Sequence, residues 1–210
     1  HEIAYQVEAD MDGRAFANRR VMAWQSGKVI FNMIASFHRH EAGPRHQAAM
    51  PAVPLPEDLR DLAEVLAEHP GHVGPALQRM LSRPGAVRIK PVETEPDRVA
   101  GAAGAPYGLF WMRVGDGPLG APQAVQRAVL GLISDLLLLG TAYRPHGLQI
   151  GSGAVQGASI DHSLWFHGDV ECGDWLLFET HSPWSGGARG LANGRFFARD
   201  GRLVASAAQE

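Results

Sequence analysis

The chain has 210 residues, 45% hydrophobic and 20% charged, with a formal charge of -3 at pH 7. That length and apolar content support a globular protein with a substantial core, and the charge, with no dense Lys/Arg cluster, argues against nucleic acid as a partner. A single cysteine, Cys172, excludes an internal disulfide and suits a reducing compartment, with the cytoplasm as the default, and no apolar run reaches the length of a membrane span without a charge.

Residues 3–40 read as β structure. "IAYQVEAD", "AFANRRVMAW" and "KVIFNMIASFH" are rich in β-branched and aromatic residues, with turn signals at Met11-Asp12-Gly13 and Ser26-Gly27, which predicts a three-stranded meander. The following segment carries several prolines and two short amphipathic stretches, the first with Leu59, Leu62, Val65 and Leu66 on one face. It reads as a linker with short helices over residues 46–104. "YGLFWMRVGDG" is strand-like, and residues 121–140, with Pro122 near the first turn and Gly140 at the end, predict one helix that is apolar nearly all round and therefore buried. Residues 148–209 return to β structure.

"FANRRVMAWQSGKVIFNMIASF" and "LANGRFFARDGRLVASAAQE" share an Ala-Asn pair, a basic stretch, a Ser-Gly or Asp-Gly turn and an aliphatic strand. The halves read as a duplication with domain-sized copies, residues 1–45 and 105–210. On that arithmetic the first copy lacks roughly 70 residues, including a strand and a buried helix of its own. One buried helix followed by a long antiparallel meander predicts an α+β architecture in which a curved sheet wraps a helix; two such units make a double hot-dog.

Asp135 is the most informative single residue. A carboxylate in an aliphatic helix loses hydration that apolar neighbours cannot replace, which points to chemistry, although a surface carboxylate or one bonded to a backbone amide would explain it too. The polar stretch "GASIDHSLWFHGD", residues 157–169, read as a strand, puts Ser159, Asp161, Ser163, Trp165 and His167 on one face and Ile160, His162, Leu164 and Phe166 on the other. The two histidines then point opposite ways, which argues against a metal site. "GASID" lacks the Gly-x-Ser-x-Gly elbow of a serine nucleophile. His162 and Trp165 read equally well as core or interface residues with satisfied hydrogen bonds.

"SIDHSLWFH", "LISDLLLL", "RPHG" and "GRLVASAAQE" together resemble the C-terminal half of the acyl-CoA thioesterase II family, and "GRAFANRRVMAWQSGKVIFNMIASF" and "HEAGPRHQAAMP" resemble its middle. The resemblance covers nearly the whole chain apart from a diverged linker. It implies a double hot-dog fold and hydrolysis of fatty acyl-CoA to free acid and CoA, with no metal or covalent cofactor. The family's catalytic trio falls on Asp135, Ser159 and Gln209, which would hold one water by hydrogen bonds, Asp135 accepting its proton. Backbone amides near the start of the 121–140 helix would polarise the carbonyl. Ser159 stands where Thr is commoner in the family and keeps the hydroxyl. Gln209 closes the last strand, so its aim depends on that strand not fraying. The family's first unit also begins with a strand and a "GGQ"-containing helix that this chain does not show, so the sequence reads as a fragment whose first sheet exposes its apolar face.

The alternatives are a hydratase or dehydratase using Asp161 and His162 as acid and base, and a non-catalytic acyl-CoA-binding module. Arg144 and Arg189 are candidates for the CoA phosphates, or else solvated surface charges. Acyl-CoA is the expected partner, and a homo-oligomer formed through strand edges is expected.

Overall fold

In the computed structural model, residues 2–68, 83, 87–93, 102–148 and 155–210 are described. The chain divides into two compact units, residues 1–46 and 47–210.

The first unit is the expected meander: β1 (Ala4–Asp12), β2 (Phe16–Gln25) and β3 (Lys28–His38), antiparallel in the order β1-β2-β3. Ser26 and Gly27 link Gln25 to its partner Lys28 as a two-residue turn, with φ of 50° and 76°. Apolar side chains of this sheet, Tyr5, Val7, Phe31, Ile34 and Phe37 among them, are exposed.

The second unit carries β4 (Val87–Pro91), β5 (Tyr107–Val114), β6 (His162–Phe166), β7 (Leu176–Gly186), β8 (Arg189–Ala198) and β9 (Leu203–Gln209) in one antiparallel sheet. Their spatial order is β4-β5-β7-β8-β9-β6. Among the described residues its α-helices are α1 (Leu62–Ala67), α2 (Gln123–Ser134) and α3 (Leu138–Tyr143). Pleating sends alternate residues to opposite faces. On one face Met112, Phe178, Phe196 and Ala205 meet Leu130 and Ile133 of α2 and Leu138 of α3. On the other, Trp111, Trp175, Leu177 and Phe197 meet Ala48, Met50, Val53 and Leu59. Burial on both sides explains why β7 begins with five consecutive buried residues instead of an alternating pattern. Gly194 admits the stacked Phe178 and Phe196 rings, 3.9 Å apart, because a β-carbon there would collide with Phe178. A helix lying across one face of an antiparallel sheet is the hot-dog arrangement expected from the sequence.

The helix expected over 121–140 is interrupted. α2 ends at Ser134, three turn residues follow, the first of them the C-cap Asp135, and α3 starts at Leu138. Nor is it buried all round: α2 buries Gln126, Leu130, Ile133 and Ser134, at three- and four-residue steps, and leaves Val125 and Leu132 exposed. The helical run Gln123–His146, at 24 residues, is long and apolar enough to cross a membrane by length and composition alone, a property the charge at Asp135 hides in a simple scan. Its buried residues belong to the core of the second unit, as those of a core helix do.

The segment read as a linker supplies β4 and packs on the second unit, with Trp111 Nε1 donating to the Pro54 carbonyl at 2.9 Å and Gln47 Nε2 to the Gly201 carbonyl at 2.8 Å. Its first amphipathic stretch forms α1, burying Val65 and Leu66; the second lies outside the described residues. The polar stretch is strand only from His162 onward, and Ser159–Asp161 precede it as irregular chain.

Candidate active site

Asp135 sits where α2 gives out. It has αR backbone angles (φ -80°, ψ -18°) and an exposed side chain, so the carboxylate projects from a helix end instead of lying in a greasy interior. The solvation cost that singled it out in the sequence is avoided by the break in the helix.

Ser159 reaches the same place from the loop before β6. That loop passes close over α3: a β-carbon at Gly157 would collide with the Tyr143 hydroxyl, so glycine permits the approach. The Ser159 hydroxyl donates to Asp135 Oδ1 at 3.1 Å. Being outside the strand, Ser159 escapes the alternation that seemed to set it opposite His162.

Gln209 comes from β9. Fraying is prevented by the topology, because β9 is internal: Gln209 pairs with Ala192 of β8 on one side and His162 of β6 on the other. Beyond it, the Glu210 amide donates to Asp161 Oδ1 at 3.1 Å and the Glu210 carbonyl accepts from the Ile160 amide at 2.7 Å. Gln209 is 4% exposed, and its Nε2 donates to Ser159 Oγ at 2.7 Å. All three residues singled out by the resemblance therefore lie on one hydrogen-bonded line, Gln209 to Ser159 to Asp135.

Two further residues extend the line. His162 Nδ1 is 2.7 Å from Gln209 Oε1, and His162 Nε2 is 2.8 Å from Ser134 Oγ. The sequence leaves His162 open as a core or interface residue or as half of a hydratase pair, and does not single out Ser134. The available signals were that Ser134 adjoins Asp135 and that His162 shares a strand face with Leu164, which packs on the core. Asp161, the other half of the hydratase pair, bonds the chain end while His162 bonds Gln209, so the two carry no common proton path.

The amides expected to polarise a carbonyl, at the start of the 121–140 helix, are too far away. Asp135 is at the C-terminal end of α2, about 18 Å from its first turn at 1.5 Å per residue. The amide of Leu119, just before that helix, and that of Gly173, in the segment between β6 and β7, are taken up by Glu171, at 2.8 and 2.9 Å, and Gln126 donates to the same carboxylate at 2.9 Å. Burial raises the Glu171 pKa, but these bonds and one from Gly120 outweigh it and hold the carboxyl below its usual range. Of the candidate phosphate ligands, Arg144 is engaged by the Tyr107 carbonyl at 2.6 Å and Glu93 at 3.1 Å. Arg189 is more exposed, 3.4 Å from Glu210 and stacked near Trp184. Among the described residues no three His, Cys, Asp or Glu side chains gather as a metal site.

Residues 56–210 match the profile of the acyl-CoA thioesterase C-terminal domain. The chain is 36% identical to human acyl-coenzyme A thioesterase 8 over 99% of its own length and 66% of that protein's, so it spans slightly under two thirds of this relative. It is 33% identical to acyl-CoA thioesterase 2 of Haemophilus influenzae, covering all of this chain and 73% of that one. Among solved structures, an acyl-CoA thioesterase II from Mycobacterium marinum superposes with a TM-score of 0.77 at 33% identity, over 98% of this chain and 71% of the other.

Proposed function

The chain belongs to the acyl-CoA thioesterase II family, and from that premise we propose that it hydrolyses fatty acyl-CoA to the free acid and CoA with a water held by Asp135, Ser159 and Gln209. The observation that carries this reading is the unbroken line from Gln209 Nε2 through Ser159 Oγ to Asp135 Oδ1, at 2.7 and 3.1 Å. With one water among them, the three polar groups have complementary roles. A water there accepts a hydrogen bond from the Gln209 amide and gives a proton to Asp135. Ser159 limits its remaining orientations, so that a lone pair is left for the thioester carbonyl.

The chemistry balances with these groups alone. The water oxygen bonds to the carbonyl carbon, Asp135 takes the proton, and collapse of the tetrahedral species breaks the C–S bond. The thiolate of CoA leaves and takes up the proton held by Asp135, which restores the carboxylate, and the acid is released. No covalent enzyme intermediate is needed, because the water itself attacks the carbonyl carbon.

The test is thiol release from a series of acyl-CoA esters of increasing chain length, followed continuously. Saturable turnover on at least one member is expected, and the best substrate reports the acyl length the site accepts. A folded protein that releases no thiol from any member would refute the reading.

A further inference from the structure

We propose that His162 is a positioning residue which, braced by Ser134, fixes the sense of the Gln209 amide and thereby the direction in which the whole line of hydrogen bonds runs; this rests on the hydrolytic reading above. An amide presents two ends of nearly equal shape, one donating and one accepting, and nothing in its own geometry decides which faces Ser159. The neighbours decide. Ser159 has one hydroxyl hydrogen, and Asp135 as a carboxylate can only accept, so that hydrogen goes to Asp135 Oδ1, 3.1 Å away. Towards Gln209, Ser159 can then only accept, which requires Nε2 to face it, at 2.7 Å. Oε1 is left facing His162 Nδ1 at 2.7 Å, a contact that is attractive only if Nδ1 carries the hydrogen.

Ser134 holds the ring from its other side. Its hydroxyl lies 2.8 Å from His162 Nε2 and 2.9 Å from the Gly131 carbonyl. With a neutral ring bearing hydrogen on Nδ1, the hydroxyl donates to Nε2. With a ring protonated at both nitrogens, it accepts from Nε2 and donates to Gly131. Either way Nδ1–H stays on Gln209. Because Ser134 is fully buried and adjoins Asp135 in the chain, the bonds close a circuit: Asp135, Ser159, Gln209, His162, Ser134 and back to Asp135. If the amide turned over, its oxygen would face Ser159 and the water site as an acceptor, competing with Asp135 for the water's hydrogens.

Two readouts test this in the intact protein. The first is independent of turnover: nitrogen-15 correlation spectra of the ten imidazoles, with the His162 signals identified by their loss in His162→Phe. The Nδ1–H form is expected, giving way to a mixture in Gln209→Ala; a ring carrying its only hydrogen on Nε2 would overturn the proposal. The second is kinetic. His162→Phe should lower kcat by about 10- to 100-fold with KM within about threefold, the cost of a misdirected group at a reacting centre. His162→Asn, whose amide nitrogen falls near the Nδ1 position, should recover most of the loss, whereas His162→Gln should not. In a Gln209→Ala background His162→Phe should cost nothing more, since its effect runs through Gln209. A full additional loss in the double variant, or equal rescue by Asn and Gln, would reduce His162 to a packing residue and overturn the proposal. Failure of the unaltered protein to release any thiol would instead overturn hydrolysis and the kinetic role with it, leaving the amide clamp to be decided by the ring spectra.

Discussion

Replacing Asp135 by Asn separates proton acceptance from everything else that residue does. The amide is the same size, and its carbonyl can still accept from Ser159, 3.1 Å from the present Oδ1, so the line to Gln209 keeps its geometry. Only basicity is lost. A general base contributes about 10²- to 10⁴-fold to rate, and kcat should fall by that amount. Stability should barely change. The side chain is exposed and stands between the carbonyl end of α2 and the amide end of α3. Those ends act on a negative charge with opposite signs, each by about 0.3–1 kcal/mol, leaving a net effect within about 0.5 kcal/mol. For a chain of this size that shifts Tm by no more than about 2 °C. The assay pairs thiol release with thermal unfolding on one preparation. A variant retaining more than about a tenth of wild-type kcat would refute the role of Asp135, and a Tm lowered by many degrees would show that the carboxylate is a structural element whose activity effect is indirect.

Ser159→Thr should stay within about threefold of wild type because the hydroxyl survives, whereas Ser159→Ala should lose about tenfold or more, since Gln209 and Asp135 lose the atom they share; steady-state kinetics decide both. Glu171 is ionised more readily in the folded protein than in the unfolded chain, so the stability it adds is present above the usual carboxylate pKa of 4.5 and is lost as pH falls through its lowered folded value. Glu171→Gln should therefore be less stable at neutral pH and show a shallower loss of Tm on acidification; an unchanged acid limb would contradict the assignment. Cys172 is fully buried and its thiol is pushed up to about 12 by that burial and then by nearby Glu171, so the folded protein should not react with a disulfide reagent at pH 8, and one thiol should appear on unfolding. Gly194→Ala drives a methyl into the Phe178 ring and should cost about 1–3 kcal/mol by denaturant titration, with kcat of the remaining folded fraction preserved.

What the sequence disclosed depended on how far apart the cooperating residues lie. β1 to β3 were readable because strand pattern and turn chemistry are local: the Ser26-Gly27 turn both marks and closes its hairpin. Asp135 stood out because a charge among leucines is anomalous wherever the helix goes. The helix break after Ser134 was not readable, for Leu136, Leu137 and Leu138 are good helix formers and no Pro or Gly separates them. β4 lies inside the segment expected to be a linker, although its Val-Arg-Ile-Lys-Pro run alternates buried and half-buried side chains as a strand should. Ser159 and Gln209 were singled out through resemblance, not through any local rule. His162 and Ser134 needed the fold itself, since their part depends on β6 pairing with β9 across more than forty residues of chain, a partnership that hydrophobic periodicity does not encode.

The two similar hairpins differ at the position that the proposed site uses. In β2–β3 Asn18 pairs with Ser36, and in β8–β9 Asn193 pairs with Ala208, with the register slipping near the turn in each hairpin. One step further along, Phe37 occupies the position that Gln209 holds in the second copy. The difference is more than one side chain. β9 has a strand on both sides, whereas β3 is the edge of its sheet among the described residues, and Phe37 is 55% exposed against 4% for Gln209. An amide that must keep one end towards a hydroxyl needs neighbours on both flanks: β6 supplies the ring that reads its oxygen, and the loop leading into β6 supplies the hydroxyl that reads its nitrogen. A hairpin alone carries the strand and the turn but not those flanks, so in the second unit the proposed site needs β6 and the loop before it as much as the β8–β9 hairpin.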